Sequence, residues 1–150
     1  MAKKKPRRRT TRRKRTNVDL PPANPLEKIQ APDVRLKAGK GSADRGAGPG
    51  GHYWHIYLNE TRVGHVYICF IDEGPFGRHA SIQIHINKKH QARGIGSVAY
   101  ELACRGSNYD EIFATMRKSN VGSRRAAARA GFVEVDDMGI SQVAMKWTRS

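Results

Sequence analysis

The stretch from Ser81 to Arg105 constrains this chain more than any other. Ser81–Asn87 alternates, with Ile82, Ile84 and Ile86 on one side and Ser81, Gln83 and His85 on the other. Period-two alternation marks a half-buried strand. From Gly94 to Arg105 the period changes, and Ile95, Val98, Ala99, Leu102 and Ala103 fall on one side of a helix. Between the two lies Gln91-Ala92-Arg93-Gly94-Ile95-Gly96. A glycine-rich strand-to-helix turn exposes backbone N–H groups at a helix N-terminus, where the dipole also favours negative charge. Gly94 and Gly96 let the main chain approach a phosphate closely, the N–H groups from Arg93 to Ser97 can converge on it, and Arg93 adds charge. That describes a pyrophosphate cradle, although the same turn also suits a bare tight junction.

A second fragment lies downstream: Asn120, Ser123, then Ala130-Gly131-Phe132. Val121–Ala130 is rich in Ala and Arg and reads as a helix stopped by Gly131. A dinucleotide fold competes for the first fragment, since Gly94, Gly96 and Ala99 satisfy Gly-x-Gly-x-x-Ala. That fold needs an acid at the end of the next strand. Here Asp110 and Glu111 precede the strand Ile112–Met116 instead.

Taken together, the turn Gln91–Gly96 and the Asn120…Gly131-Phe132 helix resemble the acetyl-CoA-binding core of the GNAT N-acetyltransferase superfamily. The resemblance covers about residues 52–150, with a divergent, shortened N-terminal half. It implies an α/β (α+β) fold: a mixed, mostly antiparallel sheet splayed around acetyl-CoA and flanked by helices. It implies an acetyl-CoA-dependent N-acetyltransferase whose acceptor is an amine, one that a macromolecule can carry. The backbone of Ile84 and Ile86 would bond the pantetheine arm like an added strand. Gln91, Ala92, Arg93, Gly94, Ile95, Gly96 and Ser97 would bind the pyrophosphate, and Asn120 would meet the pantetheine from the other side. A strand N–H would polarise the acetyl carbonyl.

Two family features are missing. The Tyr that often stands seven residues after the helix-start Asn, to protonate the leaving thiolate, is Ala127 here. A thiol leaves tolerably at its ordinary pKa of about 8.5. The Glu common near the start of the pantetheine strand is also absent, and the segment reads Arg78-His79-Ala80-Ser81. His79 and then His85 are the candidate bases, imidazole being suited to neutral pH; Asp72 and Glu73 are more distant. The alternative is a non-catalytic protein of this fold that binds nucleic acid through a basic arm.

The rest of the chain supplies strands and a basic arm. His52–Leu58 and Val63–Ile71 read as a hairpin around Asn59–Arg62, Val34–Lys37 as a first strand, and Phe132–Val135 and Gln142–Trp147 as closing strands joined around Asp136–Ile140. Gly39–Gly51 holds six glycines in thirteen residues and reads as a flexible loop without a nucleotide P-loop pattern. The family's two helices between the first strands do not fit between Lys37 and His52. The acceptor side is therefore open, or completed by a second copy in a homodimer. Trp54 and Trp147 are expected in the core.

Net charge is +15, unevenly spread: residues 1–16 hold ten Lys or Arg and no acid. Such a block is expected to stay disordered by itself and to attract polyanions, nucleic acid included. Residues 17–32, with four prolines and a helical turn at Leu26–Gln30, read as a linker. The division is thus arm and linker, 1–32, and one domain, 33–150. Cys69 and Cys104 are too few for a disulfide framework and are expected as buried thiols. The six histidines show no metal-ligand spacing, so no metal is expected. Neither a membrane span nor a secretory signal is visible, and the expected location is cytoplasmic, or nuclear in a eukaryotic host.

Overall fold

A computed structural model describes residues 33–72, 76–135 and 141–150. The basic arm, the linker, the turn at Leu26–Gln30, Glu73 and the Asp136–Ile140 connection lie outside the described residues.

Five strands and a helix follow the expected order. They are β1 (Val34–Ala38), β2 (His52–Leu58), β3 (Thr61–Ile71), β4 (His79–Ile86), α1 (Ile95–Gly106) and β5 (Glu111–Met116). Then come α2 (Val121–Arg129), β6 (Val133–Glu134) and β7 (Val143–Thr148). One seven-stranded sheet runs β1-β2-β3-β4-β5-β7-β6. Every pairing is antiparallel except β4 with β5. The mixed, mostly antiparallel sheet expected above is the observed one.

The alternation on β4 decides which face of the sheet is core. Ile82 lies opposite Ile68, Ile84 opposite Val66, and Ile86 opposite Gly64. Residues directly opposite share a face. Ile56, Val66, Ile68, Ile82 and Ile112 are all fully buried there, under α1 and α2. Trp147 is in this core at 3% exposure, and Trp54 packs at its edge. The opposite face carries Tyr53, His55, His65, Tyr67, Gln83 and His85, and the Ala43–Ala47 turn packs against part of it.

Four local expectations change. The hairpin turn is only Asn59-Glu60, because Leu58 pairs with Thr61 and Asn59 takes the left-handed conformation a two-residue turn needs. The Gly39–Gly51 segment is not a loose loop. Its turn at Ala43–Ala47 folds back on β2 and β3, where Gly46 is so close to the His52 carbonyl that any Cβ would collide. Cys69 is half-buried, its thiol donating to the Asp44 carbonyl at 3.4 Å. On α1, Tyr100 and Cys104 are buried and Leu102 is exposed, since the helix tilts its stripe toward α2.

Arg149 closes the far end of α1. Its guanidinium donates to the carbonyls of Cys104, Ser107 and Tyr109 at 3.3, 2.9 and 2.9 Å, and to Asp110 at 3.2 Å. The Cys104 carbonyl is one of the acceptors that a helix C-terminus leaves over, and the others belong to the segment that follows α1.

Candidate functional site

The site begins where β4 and β5 part. Their pairing consists of Ala80 with Ile112 and Ser81 with Phe113, and ends there. On the other side of β4, the Asn87 N–H bonds to the Val63 carbonyl at 2.8 Å. Backbone groups alternate along a strand. Odd-numbered residues of β4 therefore bond toward β3, and Ile84 and Ile86 aim their backbone groups into the gap. The Ile86 carbonyl accepts the Gln91 side-chain amide there at 2.9 Å. Gln91 thus braces the turn against the strand.

The gap widens into a cleft of about 640 Å³. One wall is Ile84, His85 and Ile86, the floor is Gln91, Ala92 and the run from Gly94 to Ser97, and the far wall is α2 with Asn120. The turn is built from two left-handed residues, Ala92 at φ 62° and Gly94 at φ 87°. Alternating hands point successive N–H groups to one side, as anion-binding nests do. A Cβ added at Gly94 would meet nothing within 4 Å, so its backbone borders open cleft. A Cβ on Gly96 would stand 3.3 Å from the Ala126 Cβ. Gly96 therefore serves the close approach of α1 to α2 as well as the turn. Ser97 donates its hydroxyl to the Gly94 carbonyl at 3.1 Å.

Arg93 is turned off the cleft wall. Its Nη1 lies 3.2 Å from His90 Nδ1, which must accept because guanidinium only donates. His90 Nε2 then carries the proton, buried and without a partner among the described residues. Asn120 caps α2, its Oδ1 accepting the Ser123 N–H at 3.1 Å. The cleft also takes Ser123 from the second fragment, and Tyr100, Arg125 and Arg129, to which sequence reading gave no role. Tyr100 OH and Ser123 Oγ are 3.3 Å apart, and burial pushes the phenol up from its ordinary pKa. The i, i+4 spacing of Arg125 and Arg129 was the visible signal, placing two cations on one side of α2.

The two candidate bases stand apart on β4. His85 lines the cleft, and its ring stacks on His65 at 5.3 Å across the strands. His79 is at the start of the strand, its Nδ1 2.7 Å from the Gly77 carbonyl and its ring edge-on to Phe76 and Phe113. Six residues of strand separate the two, roughly 20 Å at the usual rise. Both cannot serve one amine. Ala127, where the family often has Tyr, is fully buried. Among the described residues no cluster of His, Cys, Asp or Glu could hold a metal ion, and no helix is long and apolar enough to cross a membrane.

Solved structures share this architecture. Mycobacterium smegmatis RimJ in complex with CoA-disulfide matches with a TM-score of 0.53 at 23% identity, over 65% of this chain and 53% of its own. AAC(6')-Ib in complex with ribostamycin and coenzyme A matches with a TM-score of 0.55 at 17% identity, over 71% of this chain and 67% of its own. Microcin C7 self immunity acetyltransferase MccE, in complex with acetyl-CoA and AMP, matches with a TM-score of 0.52 at 16% identity, over 65% of this chain and 61% of its own. Identities this low speak for the fold alone, and the chain spans about half the length of the RimJ structure. No curated protein matches the sequence. The sequence model described as "Acetyltransferase (GNAT) family" matches residues 20–132, well over half of the chain, and the chain belongs to that family.

Proposed function

We propose that this chain is an N-acetyltransferase that uses acetyl-CoA to acetylate an amine. One observation carries the reading: the parting of β4 from β5 after Ser81 and Phe113 runs directly onto the left-handed turn Ala92–Gly94 at the start of α1. The residues fit the donor. Backbone N–H groups from Gly94 to Ser97 would hold the pyrophosphate in the open space beside Gly94, with Arg125 and Arg129 supplying charge. The backbone edge at Ile84 and Ile86, where Gln91 already holds the Ile86 carbonyl, would pair with the pantetheine amides through its remaining groups. Asn120 and Ser123 close the other side. RimJ, AAC(6')-Ib and MccE share the fold and were solved with CoA-disulfide, coenzyme A and acetyl-CoA respectively, which supports a donor of that class.

Acetyl-CoA supplies an acetyl thioester. The chain's part is to hold it and to manage protons. The Ile84 N–H, aimed into the gap, would polarise the acetyl carbonyl as an oxyanion donor does. His85, on the cleft wall, would take the proton that the amine loses as its nitrogen bonds to the acetyl carbon. The sulfur leaves and collects a proton from water, within reach of an ordinary thiol. A second reading has its own observation. His79 donates through Nδ1 to the Gly77 carbonyl, which leaves Nε2 as a free acceptor, the tautomer a base needs.

The test is turnover of acetyl-CoA with a panel of small amines, peptides and cell extract, with acetylated products read by mass spectrometry. A base contributes about 10²–10⁴-fold. His85→Ala should lose that much with donor affinity kept, and His79→Ala should not. Loss in His79→Ala alone would assign the base to His79. Saturable acetyl-CoA binding with no transfer to any acceptor would leave a binding protein of this fold.

A further inference from the structure

The Gly39–Gly51 segment packs on the sheet face that holds His85, and it builds a recess there. Lys40 and Arg45, with Tyr53 and His55 from β2, line a space of about 480 Å³. Asp44 is the only acid on the segment; it lies outside the lining, and its carboxylate accepts the Ser42 hydroxyl at 3.0 Å. Among the described residues neither Lys40 nor Arg45 is in a salt bridge. Glycines fix the shape. A Cβ on Gly39 would come 2.8 Å from His55 Nε2, and one on Gly41, at φ 65°, would strike the Arg45 carbonyl. Only bare backbone fits there, so the recess is a packed feature of the fold.

Its donors are unspent. Arg62 Nη1 is 3.4 Å from His55 Nδ1. Guanidinium only donates, so Nδ1 accepts and Nε2, beside Gly39, carries the proton. The backbone N–H groups of Lys40, Gly41 and Ser42 bond to no described residue. An ammonium, a guanidinium, an imidazole N–H and three main-chain N–H groups thus gather at one recess whose lining holds no carboxylate. Such a set fits an anion. Its place relative to the cleft is fixed. His55, His65 and His85 are in register across β2, β3 and β4. His85 stacks on His65 at 5.3 Å, and His65 on Tyr53 at 5.7 Å. Two strand spacings set the recess roughly 10 Å from His85. The Arg45 charge reaches toward it: the His65 pKa is lowered by burial first, then by His85 and then by Arg45.

We infer that the acceptor of this chain is an amine carrying a carboxylate or phosphate roughly 10 Å from its nitrogen, and that the Lys40–Arg45 recess seats that anionic group. The inference rests on the acetyl-transfer reading, with His85 beside the amine. Charge selects among acceptors. A neutral amine leaves the donors of the recess to water. A polycationic one is repelled by Lys40 and Arg45, and by Lys37, which is in register with His55 on β1. The chain's own residues 1–16, with ten cations and no acid, are repelled in the same way. An acid beside the amine is complementary, and it orients the nitrogen toward the gap between β4 and β5.

Two measurements on the full chain separate the seat from the reaction. In the first, inorganic phosphate is titrated into the chain saturated with coenzyme A, and amide NMR spectra are followed. The Lys40, Gly41 and Ser42 resonances should shift saturably in the wild type and stay still in Lys40→Gln/Arg45→Gln. Both positions are exposed, so the melting curve of that variant should match the wild type. In the second, acetyl transfer is measured to C-terminally amidated peptides that differ only in aspartate, phosphoserine or alanine at the third residue. An extended chain sets that acid roughly 10 Å from the N-terminal nitrogen. The acidic peptides should exceed the alanine peptide by about tenfold or more in kcat/KM, and the variant should bring the ratio near one. Aspartate against phosphoserine tells carboxylate from phosphate. Resonances of Lys40–Ser42 that do not move in the wild type would overturn the inference, as would transfer no faster to the acidic peptides than to the alanine one. Saturable shifts there with no transfer to any amine would instead overturn the acetyl-transfer reading on which it rests.

Discussion

Replacing Gly94 by valine tests the cradle at its most exposed point. Gly94 sits at φ 87°, in the left-handed region. A β-branched residue there costs about 1–2 kcal/mol of backbone strain. The new side chain points into space that holds no protein atom within 4 Å, the space assigned to the pyrophosphate. If it displaces two charge-assisted hydrogen bonds of about 1.5–3 kcal/mol each, acetyl-CoA affinity falls by roughly 10²–10⁴-fold. The control is Gly77→Val. Gly77 is also left-handed, at φ 68°, and also open, but it lies before β4 and away from the cleft. It should carry the same loss of melting temperature with no loss of donor affinity. Calorimetric titration and thermal melts of both variants read the two effects separately. If Gly94→Val binds acetyl-CoA as the wild type does, or if Gly77→Val loses affinity equally, the turn is not the phosphate site.

Three further outcomes follow from the packing. Arg149→Ala should cost about 2 kcal/mol in urea unfolding, since charged hydrogen bonds to the end of α1 are lost while the cleft is untouched; an unchanged midpoint would refute the cap. Native protein should titrate one thiol with a disulfide reagent and the second only after unfolding, because burial pushes the Cys104 thiol up to about 12 whereas Cys69 is half-buried. His65 has a folded-state pKa below its ordinary 6.5, so the unfolded chain takes up the proton first as pH falls. That contribution to stability is full above about pH 6.5 and is lost as pH drops toward the folded pKa. His65→Gln should flatten the decline in melting temperature between neutral and mildly acid pH, and an identical decline would remove His65 from it.

What could be read from the sequence was what repeats locally. The isoleucines of β4, the change of period at Gly94 and the stop at Gly131 are each encoded within one element, and each appears where it was expected. The Ile84 and Ile86 positions and the Gln91–Ser97 turn do meet Asn120 across one cleft. The misses have a common cause. Whether Gly39–Gly51 is loose or packed depends on the backbone of β2 against Gly46, which no local pattern carries. Arg93 was singled out for its charge and its place in the turn, and neither signals its contact with His90, three residues back. Arg149 caps a helix that ended over forty residues earlier in the chain. The stack of Tyr53, Tyr67, His65 and His85 was equally hidden, because these residues become neighbours only through the order and register of three strands.

The central claim is that the cleft between β4 and β5 holds acetyl-CoA on the Ala92–Ser97 turn. Calorimetric titration of the full chain with acetyl-CoA tests it most directly. The account predicts saturable binding at one site per chain, weakened roughly a hundredfold or more by Gly94→Val and kept in Gly77→Val. No heat and no thermal shift with the wild type at millimolar acetyl-CoA would contradict it.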